Sequence, residues 1–213
     1  SFPIKYADVP SQNFPTNVPE SGLNQSFENY STKYKYYDQP NIDYTNYTED
    51  IFVGYRHFAT SAVEVAYPFG FGLTYSDFEI SDMQLKKSGD KITVNCKVTN
   101  TGNAVAKQVV QLYSTALFPD HERPLVELRG YTKTPTLNPE ESKVVEINIS
   151  ADDLAIFVEQ ESAWKTIAGD YRLSLGFSSE DLRVNREIFI PATKVVRKVT
   201  DILKPTDGKL FIE

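Results

Sequence analysis

From Phe78 onward, hydrophobic and polar positions alternate with a period of two. Ile92, Val94, Cys96 and Val98 alternate with Thr93, Asn95, Lys97 and Thr99. Successive side chains of a strand point to opposite faces, so this pattern predicts a half-buried strand. The same period sets Val145, Ile147 and Ile149 against Val144, Glu146 and Asn148. It also places Tyr171, Leu173, Leu175 and Phe177 together on one face. Val105 to Leu117, with Val110 and Leu112 sharing a face, forms a further predicted strand, as do Leu125 to Tyr131, Ala163 to Ile167 and Leu182 to Ile190. Turn residues separate them at Asn100-Thr101-Gly102-Asn103, Asn138-Pro139-Glu140-Glu141 and Gly169-Asp170. Ala151 to Phe157 fits one helical turn with Ser150 as its N-cap. Roughly seven or eight short strands divided by turns predict an antiparallel β-sandwich over residues 78–192. Its predicted interior holds Ile92, Val94, Cys96, Val98, Leu112, Ile147, Leu173 and Leu175.

The chain before Phe78 follows a different grammar. Ile51, Phe52 and Val53 form a short β-prone apolar run, which predicts a strand covered on both faces. A lone strand exposes unpaired N–H and C=O groups along both edges. Its neighbours are therefore expected on another polypeptide segment. Pro68, Gly70 and Gly72, set among aromatics, forbid a helix and permit tight turning, as at a domain junction. Residues 1–46 are punctuated by Pro3, Pro10, Pro15, Pro19 and Pro40 and read as an extended surface loop. The alternative is the rim of a cleft, with Tyr30, Tyr34, Tyr36, Tyr37 and Tyr44 supplying ring faces with polar tips. At the other end, Val195, Val196, Val199, Ile202 and Leu203 partly fit a helical face, and Pro205 and Gly208 break any continuation. Residues 193–213 read as a docking tail or linker.

Composition narrows the function. The 213 residues are 40% hydrophobic and 24% charged, ordinary for a globular protein. A net charge of −7 argues against a nucleic-acid partner, and no apolar run is long enough to span a membrane. Cys96 is the sole cysteine, so no intrachain disulfide forms, which favours a fibronectin type III-like sandwich over a disulfide-bonded immunoglobulin domain. Candidate chemistry is sparse. The acidic pairs Glu140-Glu141, Asp152-Asp153 and Glu180-Asp181 lie at turns and read as solvated surface. Asp120-His121-Glu122 has ligand-type residues, but adjacent positions rarely converge on one metal. Gly70-Phe71-Gly72 lacks the third glycine and acidic partner of a dinucleotide fingerprint, and there is no Gly-x-Ser-x-Gly elbow. Cys96 on an inward face is expected to be inert. Trp164 is either core or, less in keeping with its place between strands, a sugar platform. Asn24, Asn29, Asn46 and Asn148 begin Asn-x-Ser/Thr sequons, which matter only in a secretory pathway. No catalytic, cofactor-binding or metal-ligating residue is assigned.

Two motifs carry a resemblance. The stretch from Tyr47-Thr48-Glu49-Asp50-Ile51 through Phe52-Val53-Gly54-Tyr55-Arg56, followed by Tyr67-Pro68-Phe69-Gly70-Phe71-Gly72-Leu73-Thr74-Tyr75, resembles the end of the α/β sandwich domain of family-three glycoside hydrolases, the β-glucosidase and β-xylosidase family. Val98 to Gly102, Gln108 to Tyr113, Glu127 to Tyr131 and Ala168 to Tyr171 resemble signatures of the fibronectin-like domain that ends many of those enzymes. Pro139-Glu140-Glu141-Ser142 departs from the more usual Pro-Gly-Glu-Ser, which concerns that turn's geometry alone. The likeness covers about residues 1–193.

The resemblance implies a mainly β chain: residues 1–77 as the C-terminal segment of an α/β sandwich domain, then a fibronectin type III-like antiparallel β-sandwich over 78–192. In some members the barrel follows the fibronectin-like domain, and residues 193–213 then fit the start of that connection. The resemblance further implies hydrolysis of terminal β-linked glucose or xylose through a covalent glycosyl-enzyme, with no metal or other cofactor. The two carboxyl groups of such a reaction stand about 5 Å apart. The implied Asp lies on the barrel and the Glu in the sandwich domain, both outside this chain. The implied partners are the rest of the same enzyme, on the same or a separate chain, and a saccharide. A second reading is a free-standing fibronectin-like module that binds carbohydrate or protein without catalysis. An immunoglobulin-like adhesion domain, the third, leaves the first 75 residues unexplained.

Overall fold

The computed structural model describes residues 1–5, 8, 51–118 and 123–200. Two short strands, β1 (Phe2–Pro3) and β2 (Val65–Tyr67), pair with each other, and helix α1 (Tyr55–Thr60) lies between them in sequence. The remaining strands are β3 (Phe78–Ser88), β4 (Lys91–Asn100), β5 (Val109–Ala116), β6 (Glu127–Lys133), β7 (Ser142–Ser150), β8 (Ile156–Val158), β9 (Ala163–Thr166), β10 (Gly169–Gly176), β11 (Leu182–Ile190) and β12 (Lys194–Lys198).

They build an antiparallel sandwich. One sheet has the order β3-β4-β7 and the other β11-β10-β5-β6. A third, small sheet of order β12-β9-β8 stands beside them. The period-two residues meet between the two main sheets: Ile92, Val94, Cys96 and Val98 from β4, Ile147 from β7, Leu112 from β5, and Leu173 and Leu175 from β10 are all buried in one cluster. Burying such a side chain contributes about 1.5–3 kcal/mol, so this cluster drives the fold. Ser150 caps the turn after β7 as expected. Its hydroxyl accepts from Asp152 N, and Asp153 returns a carboxylate to Ser150 N.

The buried Asn100 ties the end of β4 to its surroundings. Its Oδ1 accepts from Ser76 Oγ (2.6 Å) and Gly102 N (3.2 Å), and its Nδ2 donates to Ala104 O (2.8 Å) and Leu137 O (3.0 Å). A residue that reads as turn chemistry therefore fills its hydrogen-bonding capacity inside the molecule.

Four expectations need correction. Ile51–Val53 is not a strand. It is irregular and mostly exposed, and it leads through Gly54, at φ 58°, into α1, whose Phe58 is buried. Three apolar residues with no paired edge among the described strands have no ladder to join, whereas the turn at Gly54 lets Phe58 reach the interior. The strand expected from Val105 begins only at Val109, because Ala106 instead forms an isolated bridge with Leu137. The single helical turn expected from Ala151 to Phe157 is a 3₁₀ turn over Ala151–Leu154 followed by strand β8. The helical face expected near Val195 and Val196 is strand β12, drawn into a ladder by the free edge of β9. Val199 precedes, and Ile202 and Leu203 fall among, residues outside those described, as do the Tyr-rich stretch and Asp120-His121-Glu122.

Candidate functional site

The aromatic-glycine stretch sits on the outer face of β5. Tyr55 stacks on Phe69 with ring centroids 4.6 Å apart and planes 20° apart, and meets Tyr113 edge-on at 6.2 Å. Its hydroxyl accepts from Leu128 N (2.9 Å). Gln111 Nε2 donates both to Gly70 O (3.0 Å) and to Phe177 O (2.7 Å), while Tyr113 donates its hydroxyl to Gln111 Oε1 (2.6 Å). Ser179 N donates to Phe69 O (2.9 Å). Gly70 is required here: its φ is +82°, and a Cβ would lie 2.1 Å from Gln111 Oε1. Thr60 Oγ1 accepts from Leu125 N (2.8 Å), so α1 is fastened to the approach to β6.

The consequence is a strand buried on both faces. Val110 and Leu112 face the sandwich core, while Gln111 and Tyr113 lie under the junction. Burial raises the Tyr113 hydroxyl well above its ordinary range, with Tyr55 adding to the effect. Among the described residues, the far side of the junction has no such cover. Phe2 and Phe71 are exposed, and Leu73 and Tyr75 are 95% and 97% exposed.

A charged knot lies next to α1. Glu127 pairs with Arg129 and, at 3.6 Å, with Arg56 Nη2. Arg129 Nε donates to Ser114 Oγ (2.8 Å). Burial lowers the Arg129 pKa, a pull opposed by Glu127. An arginine keeps its charge in such a site, so the carboxylate is what makes its burial tolerable. The knot forms one wall of a cleft of about 360 Å³, whose other wall carries Phe157 and Trp164. Trp164 is not core: it is 43% exposed while its neighbour Ala163 is fully buried.

The acidic pairs serve local structure. Glu141 accepts from Asn138 N (3.0 Å) and Asn138 Nδ2 (2.9 Å), which hold its carboxyl below the usual range. Asp152 accepts from Lys194 Nζ (3.0 Å) and Asp153 caps its 3₁₀ turn. Asp181 pairs with Arg183. Among the described residues, no group of His, Cys, Asp and Glu is placed to hold a metal, and no helix is long and apolar enough to cross a membrane. Cys96 is buried, and desolvation pushes its thiol up to about 11.

The family model of the fibronectin type III-like domain matches residues 108–179. A β-glucosidase of Kluyveromyces marxianus is 42% identical over 138 residues, covering 64% of this chain and 16% of that protein. The structure of β-glucosidase 3B from Thermotoga neapolitana in complex with glucose superposes with a TM-score of 0.76 at 34% identity, covering 92% of this chain and 24% of that one. The GH3 β-glucosidase of Bifidobacterium adolescentis gives a TM-score of 0.73 at 26% identity over 98% of this chain and 27% of its own. Coverage of that extent takes in the junction as well as the sandwich, which a shared fibronectin-like fold alone does not account for. The chain corresponds to the C-terminal region of family-three glycoside hydrolases. It spans between 16 and 22% of the length of the curated relatives it matches. The family motifs are therefore placed in space: the Gly54-Tyr55-Arg56 segment supplies Tyr55 to the stacked pair and Arg56 to the knot, and Glu127-Leu128-Arg129 supplies their partners. Sequence reasoning found these motifs but not their mutual contact, since nothing in the spacing of Arg56 and Glu127 marks them as neighbours.

Proposed function

We propose that this chain is the structural, non-catalytic portion of a retaining β-glycosidase that hydrolyses terminal β-linked glucose or xylose. The catalytic Asp and Glu lie on other segments of the longer enzyme, and no cofactor is used. The observation that carries this reading is the two-sided junction. One side is seated on β5 through Tyr55, Phe69, Gly70 and Gln111, and the other leaves Phe71, Leu73 and Tyr75 uncovered. An exposed apolar surface of this kind suits a partner surface, here the α/β sandwich and barrel. Rigid seating on the sandwich then fixes how that partner is held. The alternative, a free-standing carbohydrate- or protein-binding module, gives the seated junction no purpose.

The test is complementation. The isolated chain is expected to leave an aryl β-glucoside and an aryl β-xyloside intact. Put in place of the matching region of the Kluyveromyces marxianus β-glucosidase, it is expected to support turnover. Hydrolysis by the isolated chain, or an inactive but folded fusion, overturns the proposal.

A further inference from the structure

The Trp164 cleft is left over by the structural role. Strand β9 turns Ala163 and Thr166 inward and sends its largest side chain out. Phe157 lies directly across from Trp164 in the β8–β9 register and is 41% exposed. Their ring centroids are 5.6 Å apart at 52°, a tilt at which neither ring covers the face of the other. The volume of about 360 Å³ falls in the range of small-ligand sites. Across from the rings stand Arg56, whose side chain is 36% exposed, and the Glu127 carboxylate. Arg129 is spent on Ser114 and Glu127, whereas among the described residues Arg56 makes one long ion-pair contact of 3.6 Å, a distance that leaves donors for a ligand.

This combination selects a ligand class. A wall carrying both charge signs gives an anion or a cation no net advantage. A purely aliphatic ligand would strip water from the guanidinium and carboxylate without replacing it, which is costly. A neutral ring with an apolar C–H face and a rim of hydroxyls satisfies both walls, because the face lies on an indole and the hydroxyls meet the charged groups. We propose that the cleft between Trp164, Phe157, Arg56 and Glu127 is a pyranoside-binding subsite that holds one ring of a β-linked oligosaccharide on Trp164. The choice of β-linked sugars rests on the glycosidase reading above.

Trp164 is the only tryptophan of the chain, so indole emission reports on this cleft alone. Titrating the full chain with cellobiose or xylobiose is expected to give a saturable blue shift with a midpoint on the order of 1–10 mM. Phe157→Ala is expected to raise that midpoint roughly three- to tenfold, in line with the loss of one aromatic contact. Arg56→Gln is expected to raise it as well, with unchanged circular dichroism. Phe189→Ala, at an exposed position of β11 outside the cleft lining, leaves it unchanged. Absence of a saturable shift with either sugar overturns the proposal, as does a wild-type midpoint in Phe157→Ala. So does an emission in the fused enzyme, taken as its difference from the Trp164→Phe fusion, that is already blue-shifted and indifferent to sugar, which places another segment of protein on the rings. Hydrolysis by the fusion without a Trp164 response sinks the subsite and leaves the glycosidase reading standing. A sugar response without hydrolysis does the reverse.

Discussion

The sandwich and the junction bury their apolar side chains in opposite ways. Between Phe78 and Ile190, hydrophobic positions from two sheets face one another, and the chain supplies both sides of the interior. Between Ile51 and Tyr75 the described residues supply one side only. Tyr55 and Phe69 are seated on β5, while Leu73 and Tyr75 are almost fully exposed. The first region is self-sufficient. The second borrows one surface from the sandwich and offers its other surface outward. Substitutions that touch each region should therefore report on different events, global unfolding in one and local release or lost assembly in the other.

The largest difference is expected in the core. Leu112→Ala empties a fully buried position between the sheets and is expected to cost about 2–5 kcal/mol, read as a lower urea midpoint at unchanged slope. Leu73→Ala should move the midpoint of the same isolated chain by no more than about 0.5 kcal/mol. A Leu73 effect as large as that of Leu112 would mean that the junction is closed on both sides already.

Next comes the seat itself. Gly70→Ala combines a left-handed φ of +82° with a Cβ driven into the Gln111 amide. Its expected cost is about 1–3 kcal/mol, concentrated in the junction. Amide exchange should accelerate at Ser179, whose N–H bonds to Phe69 O, while the β4 amides keep their protection. Equal acceleration in both places would show that seat and sandwich unfold as one unit.

This contrast also explains what was legible in the sequence. Period-two alternation is a direct imprint of one buried face, so β4, β7, β10 and β11 could be placed to within a residue or two. Strand β5 showed only half of its burial. Gln111 and Tyr113 look like outward residues until the junction covers them, and that contact spans about forty positions of sequence. Ile51–Val53 was misleading for a related reason. Apolar composition announces that something covers a residue, but not whether the backbone is extended. Trp164 shows the converse, since a large aromatic between strands looks like core unless the small residues beside it, Ala163 and Thr166, already fill the interior. The charged knot left no local trace, because Arg56 and Glu127 are brought together only by the seating of α1 against β6.

A smaller effect is expected at the β6–β7 turn. Glu140 adopts φ 63°, a left-handed conformation that costs a residue with a Cβ about 1–2 kcal/mol. Glu140→Gly relieves that strain but adds freedom to the unfolded chain, so a net gain of about 0.5–1 kcal/mol is expected in thermal unfolding. A loss of stability would show that the Glu140 side chain contributes more than its backbone strain removes.

The smallest effect belongs to the outermost strand, which is held by charge rather than burial. Lys194 Nζ reaches Asp90 Oδ2 (2.7 Å) and Asp152 Oδ1 (3.0 Å), clasping the start of β12 to the β3–β4 turn and to the 3₁₀ turn after β7. These groups are largely solvent-exposed, so salt and competing water leave the clasp weak. Its pH window follows from two opposite shifts. The hydrogen bond and charge of Lys194 hold the Asp90 carboxyl below its ordinary value. That contribution is complete above the unfolded carboxylate pKa, about 4, and disappears as pH falls through the lower folded value. Asp90 and Asp152 raise the Lys194 pKa. That contribution is complete below the unfolded lysine pKa, about 10, and is lost as pH rises through the higher folded value. The clasp therefore holds from about pH 4 to about pH 10 and opens on either side. Exchange at the β12 amides paired with β9 should be slowest inside that window, corrected for intrinsic rates, and should speed up with added salt. Lys194→Met should remove both pH limbs while leaving the β4 amides untouched. If the variant keeps the wild-type pH dependence, β12 is held by its ladder to β9 alone and the clasp contributes nothing.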